Sequence, residues 1–198
     1  WRLTRRLSTQ AIAPTLALVF TLTAWGWAPW RWSGYFNLNS LGSGLPLGST
    51  FATGLALLML AALLDWLRSA GRGRLATVAI AYPIVVLTHP MTGLWVGLVG
   101  AGLTIGSMLG STGAAAVHLD RRRLAALAAA LGGSAVLVVV WPYYSVTELL
   151  TLTGDFDDSN ARTYRRVVTR SFLALPGFAL LGWRLARRRP DPLALAGL

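Results

Sequence analysis

The chain has 198 residues, of which 55% are hydrophobic and only 13% are charged. Soluble domains average about 25% charged residues, so this composition excludes a disordered chain and argues against a soluble domain. There is no cysteine, which excludes disulfides and thiolate chemistry, and the formal net charge of +11 comes from 18 arginines against seven acidic residues.

Six apolar stretches follow one another along the chain, each close to the roughly 20 residues that a helix needs to cross a bilayer. They cover residues 11–29, 49–67, 75–88, 91–110, 124–141 and 171–186. The sequence therefore predicts an all-α polytopic transmembrane helical bundle of about six spans, forming a single transmembrane domain over residues 1–198. Outer loops are predicted at about 30–48 and 142–170. Because the chain starts without Met and stops in an apolar run, we expect it to be an internal fragment of a longer protein.

The arginines lie between the apolar stretches and indicate the orientation. With a cytoplasmic N-terminus, 13 arginines fall in inner segments and five in outer ones. The inner set is Arg2, Arg5, Arg6, Arg68, Arg72, Arg74, Arg121, Arg122, Arg123, Arg184, Arg187, Arg188 and Arg189. The positive-inside rule therefore predicts a multi-pass protein of the plasma membrane with both ends of the fragment cytoplasmic. The arginine excess then reflects topology, and no nucleic-acid partner is expected.

Residues 75–110 form one apolar stretch that is interrupted only by His89-Pro90. A single helix of that length would be about 54 Å long, which is far too long for one span. We therefore predict a short His-Pro hairpin between spans three and four, with its turn below the outer surface. An ionisable residue at membrane depth is a candidate for function, so His89 is a candidate substrate-binding residue. The alternative is a histidine that caps the turn through a structural hydrogen bond.

The first outer loop, residues 30–50, combines aromatic side chains with asparagines and glycines. Aromatic faces stack on sugar rings, and amides hydrogen-bond to hydroxyl groups. Tyr35, Asn37 and Asn39 are therefore candidate substrate-binding residues. An interfacial loop made of turn residues is the alternative.

The second outer segment, residues 141–170, begins with an acidic group. Asp155, Asp157 and Asp158 suggest a calcium site, but the EF-hand pattern fails because Asn160 and Arg166 stand where that pattern requires Gly and Glu. A looser site for a divalent cation remains open beside the alternative of a solvated loop.

The same segment continues with four arginines at helical spacing, Arg162, Arg165, Arg166 and Arg170. They lie on the side of the membrane that should be poor in arginine. Guanidinium groups bind phosphate in a forked geometry, so these residues are candidate substrate-binding residues. Pairing with the upstream aspartates is an equally open alternative.

Three short segments carry a resemblance to a known superfamily. They are GYFNLNSLGSGLPLGSTFATGLALL after the first outer loop, LTHPMTGLWVGL at the hairpin, and WPYYSV at the end of a later helix. Over about residues 30–145 the order of these features resembles the GT-C integral-membrane glycosyltransferases, particularly the actinobacterial ones. The hairpin is similar to the Lys-Gly-Pro hairpin of the aminoarabinose and mannosyl transferases, with His89-Pro90 in place of the lysine motif.

The resemblance implies a function as well as a fold. We expect a membrane glycosyltransferase, transferring a hexosyl or pentosyl unit from a polyprenyl-phosphate donor to a cell-envelope acceptor on the outer face. Its partners would be the lipid bilayer and the polyprenyl-phosphate-linked sugar, with a divalent cation as the one cofactor left open. The catalytic aspartate of such enzymes would lie in an outer loop upstream of Trp1. The alternatives are a secondary transporter or lipid flippase, whose site would lie at the broken helix, and a non-catalytic membrane subunit.

Overall fold

The computed structural model describes residues 1–23, 48–109, 120–143, 145, 179 and 183, and within these residues it contains helices and no strand. The helices are α1 (Arg2–Leu7), α2 (Ala13–Thr23), α3 (Gly48–Ser69), α4 (Arg72–Thr88), α5 (Pro90–Leu109) and α6 (Arg121–Val140). Three of them are long and apolar enough to cross a bilayer: α3, α5 over Pro90–Met108, and α6. The described part of the chain is therefore all-helical and contains three candidate membrane-spanning helices.

The predicted apolar stretches agree with these helices to different extents. The stretches 49–67, 91–110 and 124–141 are confirmed as helices of spanning length. The stretch 75–88 is helical, but α4 begins three residues earlier and has 17 residues. The stretch 11–29 begins with a turn at Ala11 and Ile12 and is helical over Ala13–Thr23. Residues 24–29 and nearly all of 171–186 lie outside the described residues. The total of six spans stays a prediction.

Helices α3 and α4 form an antiparallel pair. At one end, a Cβ placed on Gly48 would lie 3.7 Å from Thr88 Cγ2. At the other end, the Arg74 guanidinium donates to the backbone carbonyl of Asp65 at 3.1 Å. The connection is tight because Ala70 adopts a left-handed conformation (φ 51°) directly after α3, a position that helices usually give to glycine.

The hydrophobic core lies between α3 and α4 and extends to their neighbours. Its fully buried side chains include Leu60, Leu67, Val78, Val85 and Leu103. Helix α4 packs against α3, α5 and α6, so it is the central helix of the described bundle. The outward side of α6 remains apolar and exposed, with Val139 65% exposed, as expected for a helix that faces lipid.

A proline in the central helix is compensated by the neighbouring helix α6. Pro83 has no N–H, so the carbonyl of Ala79, four residues earlier, has no intrahelical donor. The buried hydroxyl of Ser134 on α6 lies 2.9 Å from that carbonyl oxygen and donates to it. The same hydroxyl is 2.8 Å from the carbonyl of Ala130 in its own helix. Neighbouring helices commonly satisfy backbone groups that proline frees inside a membrane, and here Ser134 joins α6 to α4.

Helices α4 and α5 approach each other through glycines. A Cβ on Gly93 would lie only 2.6 Å from Val86 Cγ2, and one on Gly97 would lie 2.9 Å from the Tyr82 hydroxyl. Because later residues of α5 meet earlier residues of α4, the two helices run antiparallel on either side of His89. Their small residues allow this close packing.

Candidate functional site

Polar side chains collect where three helix ends meet: the start of α3, the end of α4 and the start of α5. This group, the polar end, consists of Ser49, Thr88, His89 and Thr92. Gly48 lies beside Thr88, and Ser49 and His89 are their neighbours in the chain. The 17-residue helix α4 separates the polar end by about 25 Å from the arginines at the other end of the α3–α4 pair.

His89 joins α4 to α5 through its backbone and its side chain. Its N–H donates to the carbonyl of Val85 at 2.9 Å, and its own carbonyl accepts from the N–H of Gly93 at 3.0 Å. Its ring atom Nδ1 accepts from the N–H of Thr92 at 3.2 Å. His89 therefore ends α4 and caps the N-terminus of α5. Pro90 suits the first helical position because no N–H is needed there.

These contacts define the state of the imidazole. Because Nδ1 accepts from a backbone N–H, the Thr92 hydroxyl, 2.8 Å away, donates to the same atom. The proton of the neutral ring then lies on Nε2. Burial lowers the pKa of His89, which lies between the helices rather than within a span, and the backbone donor at Nδ1 also disfavours protonation. The N–H of Nε2 has no hydrogen-bond partner among the residues that the structure describes.

Ser49 is the other unusual member of the polar end. It is 3% exposed, and its Oγ has no hydrogen-bond partner within the described part of the chain. A buried polar group without a partner costs about 1–3 kcal/mol. The first turn of α3 thus carries a buried hydroxyl whose bonding capacity is unused there.

An apolar groove of about 650 Å³ lies between α5 and α6, with α3 and α4 forming its floor. On α5 it extends from Leu94, five residues after His89, to Met108, a distance of about 21 Å along the helix. Its walls and floor are formed by Leu94, Leu98, Ile105 and Met108 of α5, Leu124, Leu127, Leu131 and Ala135 of α6, and Met59, Leu63, Val78 and Tyr82. The shape and apolar lining suit a hydrocarbon chain.

Of the residues that the sequence nominates for a site, the structure describes His89. The hydrogen bonds show the capping role that the sequence left open for His89, and Nε2 makes no further hydrogen bond within the described ranges. The remaining candidates lie outside the described residues: Tyr35, Asn37, Asn39, Arg162, Arg165, Arg166, Arg170, Asp155, Asp157 and Asp158. In the described part, no group of three His, Asp or Glu side chains is arranged to hold a metal ion.

Sequence reasoning missed two parts of this region. Thr92 follows His89 by three residues, which is the spacing of a helix cap and its third residue, so the pairing could have been found. Ser49 and the groove depend on how α3, α5 and α6 pack together, and no local pattern reveals them. No family model, curated protein or solved structure matches this chain.

Proposed function

We propose that this protein is a membrane glycosyltransferase of the outer face, which transfers a sugar from a polyprenyl-phosphate donor to a cell-envelope acceptor. One observation carries the proposal: a neutral imidazole, whose Nε2–H has no partner among the described residues, stands a turn and a half of helix from the end of a long apolar groove. A polyprenyl phosphate has the same two parts, a phosphate and a long hydrocarbon chain.

The polar end is suited to the phosphate of such a donor. Helices α3 and α5 both begin there, and helix N-termini attract anions through their free N–H groups and dipoles. The Nε2–H of His89 would donate to a phosphate oxygen. The sequence adds Arg162, Arg165, Arg166 and Arg170 as further phosphate ligands from the second outer segment, and Tyr35, Asn37 and Asn39 as sugar ligands from the first.

The groove is suited to the prenyl chain. In a bilayer its apolar walls on α5 and α6 would hold the first isoprene units, which fixes the donor without a nucleotide-binding fold. In the reaction, the bond between the sugar C1 and the phosphate oxygen breaks, and C1 bonds to an acceptor hydroxyl. The hydroxyl proton passes to a general base, and the phosphate leaves on its lipid.

The orientation belongs to the same proposal. A plasma-membrane protein of about six spans, with both ends of this chain cytoplasmic, would have the polar end on the outer side and the arginines of α3 and α4 on the inner side. The His-Pro turn would then lie between spans three and four, where a donor in the outer leaflet can reach it.

The test is donor binding by the full-length protein, with a polyprenyl phosphate as the probe. His89→Asn should weaken binding of the probe roughly tenfold or more, because a charge-assisted hydrogen bond contributes about 1.5–3 kcal/mol. Asparagine keeps an acceptor that caps α5, but its shorter side chain places no donor at the position of Nε2. His118→Asn is the matched control, since His118 is the other histidine of the chain and lies three residues before the inner arginine Arg121. Equal affinity in the parent and His89→Asn would contradict the assignment of His89.

A transporter or lipid flippase is the second candidate. It is favoured by the proline inside α4 and the break at His89, because broken helices form the sites of many transporters. The two functions differ in their products. A transferase converts labelled polyprenyl-phosphate sugar to free polyprenyl phosphate and a glycosylated acceptor, whereas a flippase moves the intact donor across vesicles.

A further inference from the structure

The end of the bundle opposite His89 carries a second organised group, the arginine end. It consists of α1, the C-terminal end of α3 and the N-terminal end of α4. Six arginines lie here against one aspartate, Asp65: Arg2, Arg5, Arg6, Arg68, Arg72 and Arg74. All six are exposed.

Specific contacts hold α1 across this end. Arg6 Nε lies 2.8 Å from Asp65 Oδ1, and Arg68 Nη2 donates to the backbone carbonyl of Arg6 at 2.7 Å. Leu3 and Leu7 pack against the hydrophobic core. Arg74 donates to Ser69 and to the carbonyl of Asp65, which braces the turn between α3 and α4. The orientation of α1 therefore depends on the Arg6–Asp65 ion pair, on the hydrogen bond from Arg68 and on two apolar side chains.

Other side chains of the arginine end are left facing outward. Arg2 and Arg72 have no ion-pair or hydrogen-bond partner within the described ranges. Arg5 lies 5.4 Å from the centre of the Trp1 ring, and Trp1 is 67% exposed. Tryptophan is enriched at the membrane–water interface, where lipid headgroups lie. Arginines beside it can extend their guanidinium groups to the lipid phosphates.

We propose that the arginine end is a binding site for the headgroups of anionic phospholipids, with Arg2, Arg5 and Arg72 as phosphate ligands and Asp65 as a positioning residue. Charge complementarity identifies the partner: the spans fix this end at a leaflet surface, and five net positive charges on it favour anionic over zwitterionic lipid. The inference depends on insertion in a membrane and is independent of the proposed transferase activity.

Native mass spectrometry of the delipidated full-length protein, titrated with phosphatidylglycerol and with phosphatidylcholine, tests the site. We expect tighter binding of phosphatidylglycerol. The triple variant Arg2→Gln, Arg5→Gln, Arg72→Gln should lose roughly tenfold or more of that affinity. The control removes the same charge from the start of α6, as Arg121→Gln, Arg122→Gln, Arg123→Gln. It should lose less of that affinity, because these three arginines do not belong to the arginine end. Equal losses in the two triple variants, or equal binding of the two lipids, would overturn the proposal.

The Asp65→Asn variant distinguishes a built site, in which α1 is held in a defined orientation, from attraction of the lipid by net charge alone. The variant gains one positive charge, so diffuse attraction predicts tighter binding of phosphatidylglycerol. A built site predicts weaker binding, because Arg6 loses its ion pair with Asp65 and α1 is then held less firmly, by the Arg68 hydrogen bond and two leucines alone. Circular dichroism of the variant in the same detergent checks that the helices remain. Tighter binding by a helical Asp65→Asn protein would show that the arginine end is an unstructured charge patch.

Discussion

At the scale of single residues, His89 is the side chain whose state the structure defines most closely. Its Nδ1 accepts from the backbone of Thr92, and an imidazolium has no acceptor to offer. Burial already lowers its pKa from the ordinary value of 6.5. The neutral ring is thus the form that stabilises the fold, so the stabilisation is complete above pH 6.5 and is lost as the pH falls below that value.

Because protonation of His89 lowers the stability of the fold, the stability should depend on pH. The thermal unfolding midpoint of the parent protein in detergent should fall between about pH 7.5 and about pH 5. His89→Asn should show a smaller fall over the same interval, because an asparagine oxygen accepts from the third residue of the helix at both pH values. An identical pH dependence in the two proteins would assign the effect to other groups.

At the scale of helices, Pro83 and Ser134 form a linked pair. Ser134→Ala should destabilise the protein by about 0.6 kcal/mol and by no more than about 1.7 kcal/mol, the average and the maximum for hydrogen bonds between membrane helices. In a Pro83→Ala background the cost should shrink, because the substituted alanine supplies a backbone N–H to the carbonyl of Ala79. Unfolding in a detergent titration measures the double-mutant cycle. Ser107→Ala is the control, since the buried Ser107 hydroxyl bonds to Leu103 in its own helix; additive effects of the first two changes would contradict the linkage.

The contact between α4 and α5 is the second helix-scale feature that can be tested. Gly93→Ala places a methyl group 2.6 Å from Val86 Cγ2 and 2.9 Å from its Cα, so the helices must separate. We expect a loss of about 1–3 kcal/mol of stability. Gly54→Ala is the matched control in α3, where a Cβ meets nothing within 4 Å and alanine has the higher helix propensity. Gly54→Ala should leave the stability unchanged or raise it.

The helices themselves were largely predictable, because the length of an apolar stretch needs no knowledge of its neighbours. The stretches 49–67, 91–110 and 124–141 could be identified for that reason. Helix α1 was missed, since its six residues are too few to show a period and its position depends on Asp65, 59 residues from Arg6. Ser134 was missed for the same kind of reason: its role requires knowing that α6 passes beside Pro83.

At the scale of the whole molecule, the polar end and the arginine end lie at opposite ends of the α3–α4 pair. The orientation of the protein in the membrane therefore decides which face carries the proposed donor site. Single cysteines replacing Ser43 and Ser159 should react with an impermeant thiol reagent added outside the cell, and one replacing Ser69 should not. The background is clean because the chain has no cysteine. Reaction of the Ser69 replacement from outside would reverse the orientation and would put the proposed donor site on the inner face.

The bond between Ser134 and Ala79 also has a consequence for biosynthesis. The two residues are 55 positions apart, so α4 leaves the ribosome well before the hydroxyl that completes its backbone pairing. At about 5–20 residues per second the interval is roughly 3–11 s. During that time the freed carbonyl needs water or the insertion machinery as its partner. A chain that stalls between α4 and α6, or one that carries Ser134→Ala, should therefore be recognised by membrane quality control and degraded faster than the parent chain.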